Sequence, residues 1–368
     1  MCDLLAMNFN KSVTATFSLK GFKSRGTLNP DGWGIAWYPD KSVQVIKEPV
    51  KATQSNLFSD VLKDMKMESE IFIGHVRRGS VGEPAYRNTH PFWRELNGKA
   101  YVFAHNGSRK NDWENSSQLG KFKPPRDTDS KRIFKALGDT DSESIFCYIL
   151  NCIEEQRIGN WTEDSFSWLL EKFTEVNKYC TSNFAMSDGE HLFVYHDSGG
   201  HNGMALVFRH PPYADVKLKD DEEEVLFGAT KDPELRGFIV TTLSKTKSPN
   251  PKYLTNENWE PIEPGELMVF KKGRMVYSSK RQTIRELSRL TEQELKVLSV
   301  IRHNQHKISI NEITNKSGYS VREVVEALRS LREKELIKHD TTDTVQWNHS
   351  NANYFTQPSK RNEIYWFL

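Results

Sequence analysis

The sequence predicts a sheet-rich α/β or α+β domain followed by a small helical domain. Short β-prone apolar runs, several of which end at Gly, Asp or Pro, recur through residues 2–279. Between them lie stretches whose apolar residues recur every three or four positions, as in amphipathic helices. After Lys280 the chain becomes charged and helix-rich. We therefore expect one domain over residues 1–280 and a second over 281–368, and 368 residues suffice for two cores.

In the larger domain the pattern predicts strands that alternate with a few helices. The predicted strands include Gly34–Tyr38, Glu70–His75, Ala100–Ala104, His191–Tyr195, Met204–Arg209, Gly237–Thr242 and Glu266–Phe270. The predicted helices are Leu57–Lys66, Ser142–Glu155 and Asp164–Asn177, which could cover the faces of a sheet.

The smaller domain carries three capping boxes, in which Ser or Thr is followed three residues later by Glu. They begin helices that run to about His303, Lys316 and Glu335, and the capping pairs are Thr291/Glu294, Ser309/Glu312 and Ser320/Glu323. The stretch Ile337–Trp347 suits a β-hairpin. This order resembles a winged helix-turn-helix. The aromatic tail Asn353–Leu368 suits either a strand on the wing or docking to another surface.

Composition excludes several classes of protein. The 51 Lys and Arg nearly balance the 49 Asp and Glu, so the whole chain has no polyelectrolyte character. It has no apolar run of about 20 residues and no signal-peptide pattern, so we expect a cytoplasmic protein without a membrane partner. Four cysteines without a CxxC or Cys/His cluster predict neither a disulfide framework nor a metal site, and no cofactor is expected.

Cys2 is the first candidate for chemistry, because it directly follows Met1. Removal of Met1 would leave a thiol and a free α-amine on one residue. A thiol has an ordinary pKa of about 8.5 and an α-amine one of about 7.7–8.0, so the amine can accept the thiol proton at neutral pH.

Polar turns after predicted strands supply further candidates. Asn106 and Gly107 could direct an amide and a backbone N–H at an oxyanion, or could simply form a hairpin turn. Arg77 suits bidentate capture of a carboxylate, or a surface salt bridge. Asp141 opens a helix and could cap it or hold an ammonium group. We do not interpret the histidines at positions 75, 90 and 105 as metal ligands, since their spacing is not a ligand pattern.

Taken together, these motifs resemble the glutaminase domain of class II glutamine amidotransferases, which are N-terminal-nucleophile hydrolases, and in particular their stand-alone amidotransferase-like branch. The similarity runs to about Gly273 and leaves the extension after Lys280 outside it. The matching segments are Met1–Ala6, Arg25–Gly26, Asp31–Gly34, Gly74–Arg77, Asn88–Phe92, Ala104–Gly107, Thr140–Glu143 and Trp259–Glu266.

The resemblance implies an α+β fold, the four-layer αββα sandwich, and it assigns roles. Cys2 would be the nucleophile, with Asn106 and Gly107 as oxyanion donors. Arg77 and Asp141 would bind the α-carboxylate and α-ammonium of the substrate. Arg25 and Thr89 are expected to order the site. A second Asp-Thr-Asp-Ser run at Asp127 competes with Asp141, which we prefer because Glu143 and a helix follow it.

Three functions remain open from the sequence. The first is hydrolysis of glutamine, with ammonia released to solvent or to a partner synthase. The second is hydrolysis or transfer of another γ-glutamyl compound or peptide, for which a peptidase partner would fit. The third is a DNA-binding regulator that uses the first domain as a ligand sensor. Nucleic-acid binding would require a local patch, and the charges after Lys280 nearly cancel.

Overall fold

The computed structural model describes residues 2–64, 67–110, 133–210, 217–219, 224–226, 232, 234–242, 259–281, 290–303, 308–334, 336–339 and 344–347. The chain forms two compact units. The first comprises Met1–Leu206, Gly237–Pro249 and Pro261–Lys280; the second comprises Val207–Arg236, Asn250–Glu260 and Arg281–Leu368. The second unit thus takes in two segments that the sequence assigned to the first domain, and a division at residue 280 stays a prediction.

Two large sheets dominate the fold. Their strands, in chain order from β1 to β15, are Asp3–Thr14, Trp33–Trp37, Gln44–Glu48, Glu68–Val76, Phe92–Leu96, Lys99–Asn106, Asn183–Ser187, Leu192–Tyr195, Met204–Arg209, Lys217–Lys219, Glu224–Leu226, Gly237–Thr242, Glu260–Pro261, Leu267–Lys271 and Arg274–Ser278, with β10 and β11 outside the two sheets. The seven-stranded sheet has the order β13-β9-β12-β1-β4-β2-β3, and the six-stranded sheet has the order β15-β14-β8-β7-β6-β5. β10 and β11 form a separate antiparallel pair.

Helices cover the outer faces of both sheets in the first unit. Helices α1 (Thr16–Ser24) and α2 (Asn56–Asp64) pack on the seven-stranded sheet, where Phe58 stacks on Trp33 at 4.3 Å between ring centroids. Helices α3 (Asp141–Glu155) and α4 (Glu163–Tyr179) cover the six-stranded sheet. The two sheets face each other, with Phe238 of β12 4.7 Å from Phe270 of β14. This layer order confirms the predicted α+β class.

The first strand and the first helix are among the elements that the sequence did not reveal, together with β3, β5, β7 and β15. Residues 3–9 of β1 are all buried, so the strand shows no alternation of apolar and polar residues. Asp3 and Asn8 interrupt its apolar run, yet both are buried and hydrogen-bonded; the Asn8 side chain, for example, accepts from the backbone N–H of Gly273 at 2.8 Å. The other predicted elements appear within a few residues of their expected bounds.

The second unit contains the three predicted helices, α5 (Glu292–His303), α6 (Ile310–Ser317) and α7 (Val321–Glu333). All three capping boxes are formed. Gly318 ends α6 at φ +75°, a left-handed conformation that glycine adopts without strain. Strands β16 (Ile308–Ser309), β17 (Ile337–His339) and β18 (Thr344–Trp347) form a small antiparallel sheet in the order β16-β18-β17. The aromatic tail Asn353–Leu368 lies outside the described residues.

Among the described residues, no helix combines the length and the apolar character needed to cross a membrane.

Candidate active site

Cys2 lies at the start of β1, beside the end of β4. Because Asp3 pairs with Val76 across the two strands, Cys2 reaches the turn that begins at Arg77. Its Sγ accepts the backbone N–H of Arg78 at 3.2 Å. Burial raises the pKa of the thiol to about 11, although the hydrogen bond from Arg78 opposes that rise. At neutral pH the thiol therefore keeps its proton until a nearby base removes it.

Asn106 and Gly107 end β6 beside the same cysteine. The side-chain amide of Asn106 donates to the backbone carbonyl of Cys2. A Cβ on Gly107 would overlap the backbone oxygen of Thr181 and Nε2 of His105, so only glycine fits there. The end of β6 therefore brings the Asn106 amide onto the backbone of Cys2, a contact that a simple hairpin turn does not require.

Arg77 is buried, with only 2% of its surface exposed, so the alternative of a surface salt bridge is wrong. Its Nη2 donates to the carbonyls of Val81 and Gly82, each at 2.8 Å. The guanidinium thus holds the turn after β4 in place beside Cys2. A substrate carboxylate would have to bind the same group.

Asp141 is the first residue of α3, but it is not the cap. Thr140 caps the helix, because its hydroxyl accepts the backbone N–H of Glu143 at 3.3 Å. Asp141 is 5% exposed, and its Oδ2 has no hydrogen-bond partner in the part of the chain that is described. Arg109 forms an ion pair with this carboxylate, with its Nε 3.8 Å from Oδ2. A buried carboxylate oxygen without a donor suits an ammonium ligand. The competing run at Asp127 lies outside the described residues.

Arg25 and Thr89 hold backbone segments rather than the reacting group. Arg25 donates to the carbonyl of Thr242 at 2.7 Å and lies 3.6 Å from a carboxylate oxygen of Asp3. Burial raises the pKa of Asp3, and the charge of Arg25 opposes that rise. The Thr89 hydroxyl donates to the carbonyl of Ala85 at 2.8 Å. Among the described residues, neither Arg25 nor Thr89 hydrogen-bonds to the Cys2 thiol.

One residue of the site was missed by sequence reasoning. Asn202 donates from Nδ2 to the Cys2 carbonyl at 3.3 Å and to Oδ1 of Asn106 at 3.2 Å. It lies in a Gly-rich loop that matches no catalytic motif. The only signal in the sequence was the pair Asn202-Gly203, which predicts a turn and not a site.

His75, His90 and His105 form a buried cluster behind the site. The rings of His75 and His90 are 4.1 Å apart, and His75 Nε2 lies 3.1 Å from the carbonyl of His105. Burial lowers the pKa of His75 to about 3, and it lowers the pKa of His90 and His105 as well. All three rings are therefore neutral at pH 7. No group of three metal-binding side chains was found among the described residues.

The cluster predicts a pH-dependent stability. Each histidine has an ordinary pKa of 6.5 and a lower one when folded, so the unfolded chain takes up protons first as the pH falls. We expect the free energy of unfolding to drop between pH 7 and pH 5, by about 2 kcal/mol for His75 and further in the same direction for His90 and His105. Denaturant titrations at the two pH values measure it. The variant His90→Phe should show a smaller drop, and an unchanged drop would contradict this account.

The chain is similar in sequence to a known protein family and to several individual proteins. The profile of the family described as Glutamine amidotransferases class-II matches residues 1–294. An uncharacterized protein of Methanocaldococcus jannaschii is 39% identical over 371 residues, which cover 99% of this chain and 95% of the relative. A candidate glutamine amidotransferase of Haemophilus influenzae is 30% identical over 280 residues, covering 75% of this chain and 86% of its own.

Among solved structures, the crystal structure of a predicted glutamine amidotransferase from Pseudomonas aeruginosa PA01 has a TM-score of 0.51 and 26% identity. It covers 75% of this chain and 100% of its own. The chain therefore belongs to the class-II glutamine amidotransferases. The Methanocaldococcus relative also spans the residues after 294, so the similarity to it extends into the second unit.

Proposed function

We propose that this protein hydrolyses the γ-amide of glutamine, or of a related γ-glutamyl compound, through a thioester on Cys2. The observation that carries the proposal is the contact between the Asn106 amide and the backbone of Cys2. This contact places the proposed oxyanion donor, Asn106, directly against the residue that carries the proposed nucleophile, Cys2. Membership of the class-II glutamine amidotransferases supports glutamine as the substrate.

The proposed reaction begins with removal of Met1, which frees the α-amine of Cys2. That amine takes the thiol proton, because a thiol with a pKa of about 11 is not ionised by itself at neutral pH. The thiolate attacks the γ-carbonyl carbon, and Asn106 Nδ2 and the Gly107 N–H stabilise the oxyanion. Collapse breaks the C–N bond, and the proton from the α-amine leaves with ammonia. Water then attacks the thioester carbonyl carbon and gives a proton to the α-amine; the C–S bond breaks, glutamate leaves, and the proton returns to the sulfur to regenerate the thiol.

Substrate recognition in the proposal uses Arg77 for the α-carboxylate and Asp141 for the α-ammonium. Asp141→Asn keeps the size of the side chain and removes its charge. We expect the KM for glutamine to rise about 10- to 100-fold, because a charged hydrogen bond contributes about 1.5–3 kcal/mol. Steady-state glutamate release measures it.

Asp139→Asn is the matched control, since Asp139 is an exposed neighbour that pairs with Arg87 at the surface. It should leave the KM within about two-fold, since surface pairs contribute little. Equal KM values for the two variants would contradict a role for Asp141 in binding the ammonium group.

The substrate class is tested by incubating the protein, freed of Met1, with glutamine and with γ-glutamyl dipeptides. Release of glutamate and ammonia from glutamine supports the amidotransferase-type reaction. Release of glutamate from the dipeptides alone would favour the γ-glutamyl peptide hydrolase, and no release from either would refute the proposal. A co-purifying synthase would identify an ammonia acceptor, and a peptidase would indicate γ-glutamyl turnover.

For the second unit we propose a winged helix-turn-helix. The order of α5, β16, α6, α7, β17 and β18 and the three capping boxes support it. A nucleic-acid partner for this unit stays a prediction, and opposite charges pair along α7, as in Arg322 and Glu326 at 3.0 Å. Binding to duplex DNA that weakens steeply with salt would favour the regulator. Absence of binding at low salt would exclude it.

A further inference from the structure

Buried polar side chains hydrogen-bond to the backbone of the loop between β8 and β9. Oδ2 of Asp197 accepts the backbone N–H groups of Gly199 and His201 at 2.9 and 3.0 Å. Burial raises the pKa of Asp197, but donors led by the His201 N–H outweigh that effect and lower the pKa overall. Asn183 also donates to the His201 carbonyl at 2.7 Å. These contacts fix the backbone on the N-terminal side of Asn202.

Asn202 is held in an uncommon conformation at the end of this loop. Its φ is +61°, which asparagine tolerates better than most residues. The residue is 2% exposed, and its Nδ2 bridges the Cys2 carbonyl and Oδ1 of Asn106. A buried amide in a left-handed residue thus contacts both the nucleophile's residue and the oxyanion donor.

The contact with Oδ1 of Asn106 matters because the two ends of an amide group differ: the NH2 donates hydrogen bonds and the oxygen accepts them. Rotation of the Asn106 side chain by half a turn would exchange its NH2 and its oxygen, and an oxygen aimed at the substrate would repel an oxyanion. A donor at Oδ1 prevents that exchange. One N–H of Asn106 is already directed to the Cys2 carbonyl, which leaves the other for the substrate.

We infer that Asn202 is a positioning residue, which holds the Asn106 amide with its NH2 toward the developing oxyanion. This inference rests on the proposed function, because it gives Asn106 its purpose. Asn202 acts through Asn106 and through the Cys2 backbone, and it does not itself contact the substrate's amino-acid group.

Two substitutions suit the left-handed backbone at this position. Asn202→Gly removes the side chain without strain, and Asn202→Asp keeps its shape but places an acceptor against Oδ1 of Asn106. We expect kcat for glutamine to fall about 10²-fold in both variants, because small misplacements of catalytic groups have effects of that size. The KM should stay within about two-fold, since Arg77 and Asp141 are untouched.

The control is Asn151→Ala in α3, a buried asparagine whose amide bonds the backbone of Phe134 and Cys147. It should lower the thermal midpoint and leave kcat unchanged. In the background of Asn106→Ala, Asn202→Gly should cause no further loss, because the two side chains act as one unit. Additive losses would instead indicate a merely structural role for Asn202.

A second readout does not depend on turnover. With ¹⁵N-asparagine labelling, the side-chain amide protons of Asn106 should exchange slowly in the wild type and in Asn151→Ala, and fast in Asn202→Gly. Equal exchange, or an equal kcat in an active wild type and in Asn202→Gly, would overturn the inference. If the wild type releases no glutamate from any γ-glutamyl compound, the proposed function is overturned instead. In that case, slow exchange of the Asn106 amide protons in the wild type and fast exchange in Asn202→Gly would still support the contact between Asn202 and Asn106.

Discussion

Replacement of Cys2 with alanine is expected to reduce glutamine hydrolysis by about 10⁴-fold or more. The substitution removes the sulfur that forms the thioester, and the oxyanion donors alone cannot form that bond. Arg78 loses a hydrogen-bond acceptor at the same time, but this contact lies on a partly exposed turn. The fold should therefore persist. Glutamate release and the thermal midpoint, measured on the same sample, separate the two effects.

The matched control for this variant is Cys152→Ala. Cys152 is half-buried like Cys2, but it lies on the helix that covers the six-stranded sheet. Its loss should leave kcat and KM as in the wild type. Undiminished hydrolysis by Cys2→Ala would contradict the assigned nucleophile.

Gly107→Ala is expected to lower kcat by about 10²- to 10³-fold, the loss typical of a missing oxyanion donor. The new Cβ would overlap the backbone oxygen of Thr181, which a side-chain rotation cannot relieve. The turn must shift, and its N–H moves away from the developing oxyanion. The same overlap should lower the free energy of unfolding by about 1–3 kcal/mol, as overpacking does.

Gly159→Ala controls for the substitution itself. A Cβ at Gly159 would meet no heavy atom within 4 Å, so activity and stability should stay near those of the wild type. A Gly107→Ala protein with normal kcat would show that the close approach at this turn has no part in the reaction.

Local patterns predicted most of the fold because they depend on neighbouring residues. The capping boxes of α5, α6 and α7 are complete within four residues each, and all three formed where expected. Strand β1 escaped prediction because burial on both faces removes the alternation that marks a half-exposed strand. The segments Lys217–Lys219 and Glu224–Leu226 pair as strands, but each has only three residues, too few for a periodic pattern to be recognised.

In the candidate site, too, residues in local motifs could be predicted from the sequence, and a residue placed by a distant contact could not. Cys2, Asn106 and Gly107 were predicted because each belongs to a short motif. Asn202 was not, because its role depends on the approach of a distant loop to Cys2, 200 residues away in the chain. Position alone also misleads about caps: Asp141 opens its helix, yet the preceding Thr140 caps it, and Oδ2 of Asp141 has no hydrogen-bond partner among the described residues.

The central claim is that an N-terminal cysteine, freed of Met1, attacks a γ-glutamyl carbonyl. A glutamine analogue with a diazoketone in place of the amide tests it most directly, because it alkylates the thiol that attacks that position. We predict one adduct per chain, located by peptide mass spectrometry on Cys2 of molecules that lack Met1, with matching loss of activity. An adduct on another residue, or full labelling and activity in molecules that retain Met1, would contradict the account.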